Sequence, residues 1–125
     1  MMAPLHLAAE IGDVEVIRKM IEYGADINAG DSHGCTPLHI ASEGSGLKDG
    51  SVHRLLLEHG AEVNARKKDG STPLHMASAI ELPEVVRLLL EHGADVKAED
   101  SSGRTALQEC RKEGVMNLLL EYESR

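Results

Sequence analysis

Aromatic residues are almost missing from this 125-residue chain, which has two Tyr, no Phe and no Trp. A domain built around one central core usually draws on large rings to fill it. Their scarcity, beside a hydrophobic content of 42%, argues for thin layers of Leu, Ile, Val, Ala and Met. No apolar run approaches the roughly 20 residues that a membrane-spanning helix needs, so no membrane role is expected. The start Met1-Met2-Ala3-Pro4-Leu5-His6 lacks a charged opening followed by an apolar stretch, so no secretory leader is expected. Cysteine is limited to Cys35 and Cys110, a poor disulfide framework. Read as reduced thiols, they point to an intracellular, cytoplasmic protein with the nucleus also open to it. Positive charge is scarce too. Thirteen Lys and Arg face 21 Asp and Glu, for a net charge of −8, and the longest basic run is Arg66-Lys67-Lys68. That excludes a general phosphate-backbone binder and suits a protein partner with a basic patch.

What the chain does contain is a repeat. Thr36-Pro37-Leu38-His39 recurs as Thr72-Pro73-Leu74-His75, with diverged copies at Ala3-Pro4-Leu5-His6 and Thr105-Ala106-Leu107-Gln108. The prolines and their substitute stand at 4, 37, 73 and 106, in steps of 33, 36 and 33. A second block follows the first three motifs: Gly24-Ala25-Asp26-Ile27-Asn28-Ala29, Gly60-Ala61-Glu62-Val63-Asn64-Ala65 and Gly93-Ala94-Asp95-Val96-Lys97-Ala98.

Each part has a physical reading. Thr suits a helix N-cap and Pro the first helical position, which predicts a short helix ending near Ser42 or Ser78. A second helix carries one broad apolar face through Val16, Ile17, Met20 and Ile21, matched by Val52, Leu55, Leu56 and Leu57 and by Val85, Val86, Leu88, Leu89 and Leu90. Gly24, Gly60 and Gly93 sit where such a helix ends in the left-handed conformation. Gly34, Gly70 and Gly103 punctuate a turn before the next motif.

A period near 33, opened by Thr-Pro-Leu-His and closed by Gly-Ala-Asp-Val-Asn-Ala, resembles the ankyrin repeat over almost the whole chain. The resemblance implies an all-α solenoid of antiparallel helix pairs joined by β-hairpin-like loops. It implies one domain over 1–125, with repeats at about 1–30, 31–66, 67–99 and 100–125, acting as a monomer. It also implies a protein–protein interaction module, with no cofactor and no enzymatic activity of its own. The alternative is a structural segment of a longer array whose functional site lies elsewhere.

The first repeat begins at its first helix, without a hairpin or a Thr cap, which fits either a natural end or a cut through a longer array. Lys19 replaces the apolar residue found at Leu55 and Leu88, as an exposed outer face would require, yet Leu7 stays apolar. At the other end Gln108 replaces His, Glu109 replaces Ile40 and Met76, and Arg111, Lys112 and Glu113 follow. Those are the changes of a terminal cap. Repeat two carries three extra residues within the Gly-rich segment 44–51, read as a tolerated loop insertion or a contact loop.

Seven histidines raise the question of metal. His6, His39 and His75 share one column and His59 and His92 another. Stacked helices lie ~8–10 Å apart, so a column does not converge on an ion that needs ligands at ~2 Å. In the family this His ties neighbouring loops together. Gly30-Asp31-Ser32-His33-Gly34 has the Gly-x-Ser-x-Gly spacing, but it follows the turn-rich Asp26-Ile27-Asn28-Ala29 rather than a buried strand and so is no nucleophile elbow, and no phosphate-loop pattern is present. Cys110 stands at an Ala position and reads as core; Cys35 stands in a hairpin and reads as exposed. Asn28 and Asn64 read as turn-stabilising. The stretch before Asn64 also resembles sites of the asparaginyl hydroxylase that modifies ankyrin repeats, in hosts that have that enzyme.

By the family's habit, partners meet the hairpin tips and the concave face of the first helices. That places the binding residues at Ser32, His33 and Cys35, at Lys68, Asp69 and Ser71, and at Ser101, Ser102 and Arg104. Helix-end positions add Glu10 and Ile11, Glu43, and Ala79 and Ile80. These positions differ in kind between repeats while the scaffold positions do not, as a binding surface grafted on a fixed frame requires.

Overall fold

The computed structural model describes residues 4–43 and 50–124. Among these there are eight helices and no strand: α1 (Pro4–Ile11), α2 (Val14–Glu22), α3 (Pro37–Ala41), α4 (Ser51–Glu58), α5 (Pro73–Ala79), α6 (Pro83–Glu91), α7 (Ala106–Glu109) and α8 (Glu113–Glu123). Consecutive helices pack as pairs. The first helices stack in the order α1, α3, α5, α7, and the second helices in the order α2, α4, α6, α8. The segment between the helices of the second pair lies largely outside the described residues, which resume at Gly50 as the N-cap of α4.

The motif residues start the first helices as the sequence predicts. Thr36 is extended and its Oγ accepts from the His39 backbone N–H, while His39 Nδ1 accepts from the Thr36 backbone N–H; Thr72 and His75 repeat the arrangement. This is a reciprocal cap with His in place of the usual Glu or Gln. At the last repeat Gln108 does the same work, its side-chain oxygen accepting from the Thr105 N–H at 2.8 Å.

The closing block stops the second helices. Gly60 is left-handed; its N–H donates to Leu57 O and the next N–H, of Ala61, reaches Leu56 O. Gly24–Ala25 and Gly93–Ala94 do likewise. That double bond pattern ends a helix while satisfying its orphan carbonyls. Ala25, Ile27, Ala61, Val63, Ala94 and Val96 then seat against the core. The core itself is aliphatic, with Ile17, Leu38, Val52, Leu56, Leu74, Val85, Val86, Leu89 and Leu119 fully buried.

The terminal pair is held differently. Lys97 stands where Asn28 and Asn64 bridge to the next repeat, and α7 is only four residues long. The connection is made from Glu81, the one non-glycine residue with positive φ among those described, at 60°. Its carboxylate accepts from the backbone N–H groups of Arg111 and Lys112, at the start of α8. A left-handed residue with a side chain costs about 1–2 kcal/mol. Two bonds to orphan amides and a negative charge at a helix N-terminus offset that cost.

Gly70 and Gly103 are equivalent turn residues with φ of 82° and 78°. A Cβ on Gly70 would lie 2.7 Å from the Ser101 backbone nitrogen, whereas one on Gly103 meets nothing closer than a Glu99 side-chain oxygen at 3.8 Å. Gly103→Ala is therefore expected to cost only the conformational term, about 1 kcal/mol, and Gly70→Ala roughly twice that or more. Thermal or urea denaturation of the two variants checks this; equal losses would contradict the close approach of the two loops.

Candidate functional site

Three loops and the first helices form one continuous face. In each loop a bond closes the turn: Asp31 N–H to Cys35 O, Lys67 N–H to Ser71 O and Asp100 N–H to Arg104 O. Successive tips are then joined, Lys68 N–H donating to His33 O and Ser101 N–H to Asp69 O, both at 2.9 Å. Behind the tips the motif imidazoles cross from one repeat to the next. His6 Nε2 bonds Cys35 O at 2.8 Å, His39 Nε2 bonds Ser71 O at 3.0 Å and His75 Nε2 bonds Arg104 O at 2.8 Å. Farther along, Asn28 gives its Nδ2–H to Gly60 O and takes the Glu62 N–H, and Asn64 does the same with Gly93 and Asp95. These asparagines thus bridge repeats, rather than bracing only their own turns.

Of the residues expected to bind a partner, Ser32, His33, Glu43, Lys68, Asp69, Ala79, Ile80, Ser101, Ser102 and Arg104 are exposed and Ser71 is half-buried. Ile11 is exposed and Glu10 half-buried. Cys35 is a correction: its side chain is buried against Ala9 and Ile40. The residue after the turn points back towards α1 and α3, and burial pushes its thiol pKa up. Cys110 is buried as expected, its thiol bonded to Leu107 O. Both cysteines are free. Arg104 is already engaged, with Nε 2.9 Å from Glu109 Oε1 and its guanidinium also on Gln108 O.

Most of the charge on this face is negative. Asp31 has its carboxyl drawn up by burial, but the N–H groups of Cys35 and His33 outweigh that and hold its pKa below the ordinary value. Asp69 is lowered by the Ser71 N–H and Asp100 by the Arg104 N–H, so both tips stay ionised. Glu43 is raised, by burial first and also by the like charges of Asp31 and Glu10, against the opposing pull of Lys67. Between the last two loops a cleft of about 230 Å³ is lined by Asp69, Ser71, His75, Met76, Ala79, Asp100 and Glu109. The sequence reading missed Lys67, which acts electrostatically on Asp69, Glu43, Cys35 and His39. Comparing the loops column by column would have found it, because Lys67 replaces the Asp of Asp31 and Asp100. Among the described residues no group of three His, Cys, Asp or Glu could hold a metal ion, and no helix is long and apolar enough to cross a membrane.

The family profile described as ankyrin repeats (3 copies) matches residues 2–67 and 45–125. This chain belongs to the ankyrin-repeat family. An ankyrin repeat protein of Pyrobaculum aerophilum is 56% identical over 39 residues, 31% of this chain and 14% of that protein. The NF-kappa-B inhibitor cactus of Drosophila yakuba is 54% identical over 41 residues, 32% of this chain and 8% of cactus. Rabankyrin-5 of Homo sapiens is 50% identical over 38 residues, 30% of this chain and 3% of that protein. Each match is about one repeat long, and the chain covers only a small part of the relatives' length. The ankyrin repeat is a protein-interaction module, and the loop-and-helix face described above is the part of it that varies between these repeats.

His39 gives this frame a pH dependence. Its Nδ1 accepts from an amide and its Nε2–H donates to a carbonyl, so the neutral tautomer is required. Burial, aided by Lys67, lowers its pKa from 6.5. A lowered folded-state pKa means the unfolded chain takes up the proton first. The stabilisation is therefore complete above about pH 6.5 and is lost as pH falls from there through the folded value. His39→Gln, which copies Gln108, is expected to flatten the fall in melting temperature between about pH 7 and pH 5. Parallel curves for parent and variant would contradict the assignment.

Proposed function

We propose that this chain binds a protein partner through the tips of its three loops and the adjoining ends of α1, α3 and α5, and that the partner presents a basic segment there. The observation that carries the reading is the row of dissimilar tips, Ser32-His33, Lys68-Asp69 and Ser101-Ser102, held in fixed register by backbone bonds from loop to loop. A rigid frame lowers the ordering cost of binding. Electrostatics supports the choice of partner. Asp31, Glu43, Asp69, Asp100 and Glu109 line the face, and Arg104 is already paired with Glu109. Ile80, at the C-cap of α5 and 40% exposed, supplies an apolar anchor amid the charge. Adaptor, inhibitor and targeting roles all use such a surface. The cactus match, over about one repeat, is to a protein named as an inhibitor.

Immobilised chain and lysate proteins test this. A Glu43→Gln, Asp69→Asn, Ile80→Ala variant, matched to the parent in helicity and melting, is expected to bind the captured partner about tenfold or more weakly. Capture by the parent is expected to fall as salt rises. A variant of the outer helices, Glu84→Ala with Arg87→Ala, should bind as the parent does. Retention by the loop variant with loss by the outer-helix variant would move the site off this face.

A further inference from the structure

Strain gathers at one turn, residues 78–82, between α5 and α6. Glu81 is left-handed there, with φ of 60°, at the place where the first repeat has Gly12 with φ of 85°. Ser78 and Ser42 hold equivalent positions and both are fully buried. Ser42 Oγ donates to Leu38 O at 2.8 Å, whereas Ser78 Oγ has no hydrogen-bond partner among the described residues. One carboxylate oxygen of Glu81, Oε2, is likewise buried without a partner among them. The Ile80 and Glu81 N–H groups reach Met76 O and Ser78 O only at 3.3 Å, against 2.8 Å from Gly12 N–H to Ala8 O. Leu82 caps α6 without a side-chain bond, where Asp13 supplies one to α2. Positive φ together with unsatisfied buried groups marks a segment that its surroundings hold in a state it would not adopt alone, a feature of switch regions. The hold comes from α8, which packs on α6 and whose start has no side-chain cap of its own. Its Arg111 and Lys112 N–H groups bond Glu81 Oε1. On the other side of Glu81 stands Ile80, the exposed C-cap of α5.

We propose that this turn is a conformational switch, coupling the docking of α8 to the Ile80 edge of the loop-and-helix face. Docked α8 presents the two amides that keep Glu81 left-handed. When α8 moves off α6 those bonds break, and nothing remains to offset the cost of a left-handed residue with a side chain. The backbone at Glu81 then returns to an ordinary conformation, and Ile80, one residue before it, turns with it. The coupling runs both ways: a contact that fixes Ile80 in its present place favours docked α8. Glycine at this position would keep the turn and remove the coupling, because it adopts positive φ without that cost. Use of the switch in recognition rests on the binding reading above; the coupling itself involves no partner.

Amide hydrogen exchange of the whole chain tests this. Leu119 is fully buried, and Leu119→Ala loosens α8 about two helical turns beyond Lys112. With Glu at 81, the Ile80 and Leu82 amides are expected to exchange about tenfold faster in this variant, the Gly34 amide staying unchanged. With Glu81→Gly as the background, the same substitution should leave Ile80 and Leu82 at the rates of Glu81→Gly alone, while the Met116 amide in α8 still exchanges faster. Should Leu119→Ala open the whole stack, read as faster exchange at Gly34 as well, Leu119→Val supplies the milder loosening for the same comparison. Ile80 and Leu82 amides that stay unmoved while Met116 accelerates overturn the proposal. Equal acceleration with Glu or Gly at 81 overturns it as well. No partner takes part, so this result and that of the binding experiment stand or fall separately.

Discussion

In each of the first three repeats one imidazole ties its own first helix to the loop of the next repeat. The imidazole of His39 accepts from its own helix cap with one nitrogen and donates to the next loop, at Ser71 O, with the other. Buried imidazole without both partners would carry the desolvation cost of an unmade hydrogen bond, about 1–3 kcal/mol. The helix start and the neighbouring loop are therefore satisfied together. The loops contain turns and no strand among the described residues, and the imidazole bridges act beside the tip-to-tip backbone bonds and the Asn28 and Asn64 bridges. The glycines at 34 and 70 follow from the same constraint: both have positive φ, and a Cβ would lie 3.1 Å from Lys68 N at position 34 and 2.7 Å from Ser101 N at position 70.

That constraint explains why the binding face can vary. The atoms that set loop register are backbone carbonyls and amides, which any tip sequence supplies. Ser32 can be matched by Lys68 and Ser101 without disturbing the His6, His39 and His75 bridges. Function is thereby separated from folding, and the acidic balance of the face is a property of tips and helix ends. Where a bridging residue is lost, another contact replaces it. Lys97 removes the asparagine bridge to the last pair, and the Glu81 carboxylate anchors α8 from the third repeat.

Much of this was legible in the residue pattern. The Thr-Pro-Leu-His and Gly-Ala blocks fix where helices start and stop through local caps, and caps depend on neighbours in sequence. The polar Lys19 and the core thiol of Cys110 could also be read, because their columns are aligned by the period. Cys35 could not. Its burial depends on how the turn after Gly34 directs a side chain towards α1, a contact across 26 residues with Ala9. The Glu81 latch was hidden for the same reason, since it joins residues 30 and 31 apart. The electrostatic role of Lys67 emerges only when successive loops are laid side by side. The Gly-rich insertion remains largely outside the described residues.

Amide hydrogen exchange of a His75→Leu variant tests the central claim most directly, since exchange resolves local opening from global stability. Each loop is held by the imidazole of the repeat before it. Faster exchange is therefore expected at the Gly103 and Ser101 amides of the last loop, with the Gly34 amide of the first loop unchanged. Equal acceleration in all three loops, or none at 100–104, would contradict a frame held together by nearest neighbours.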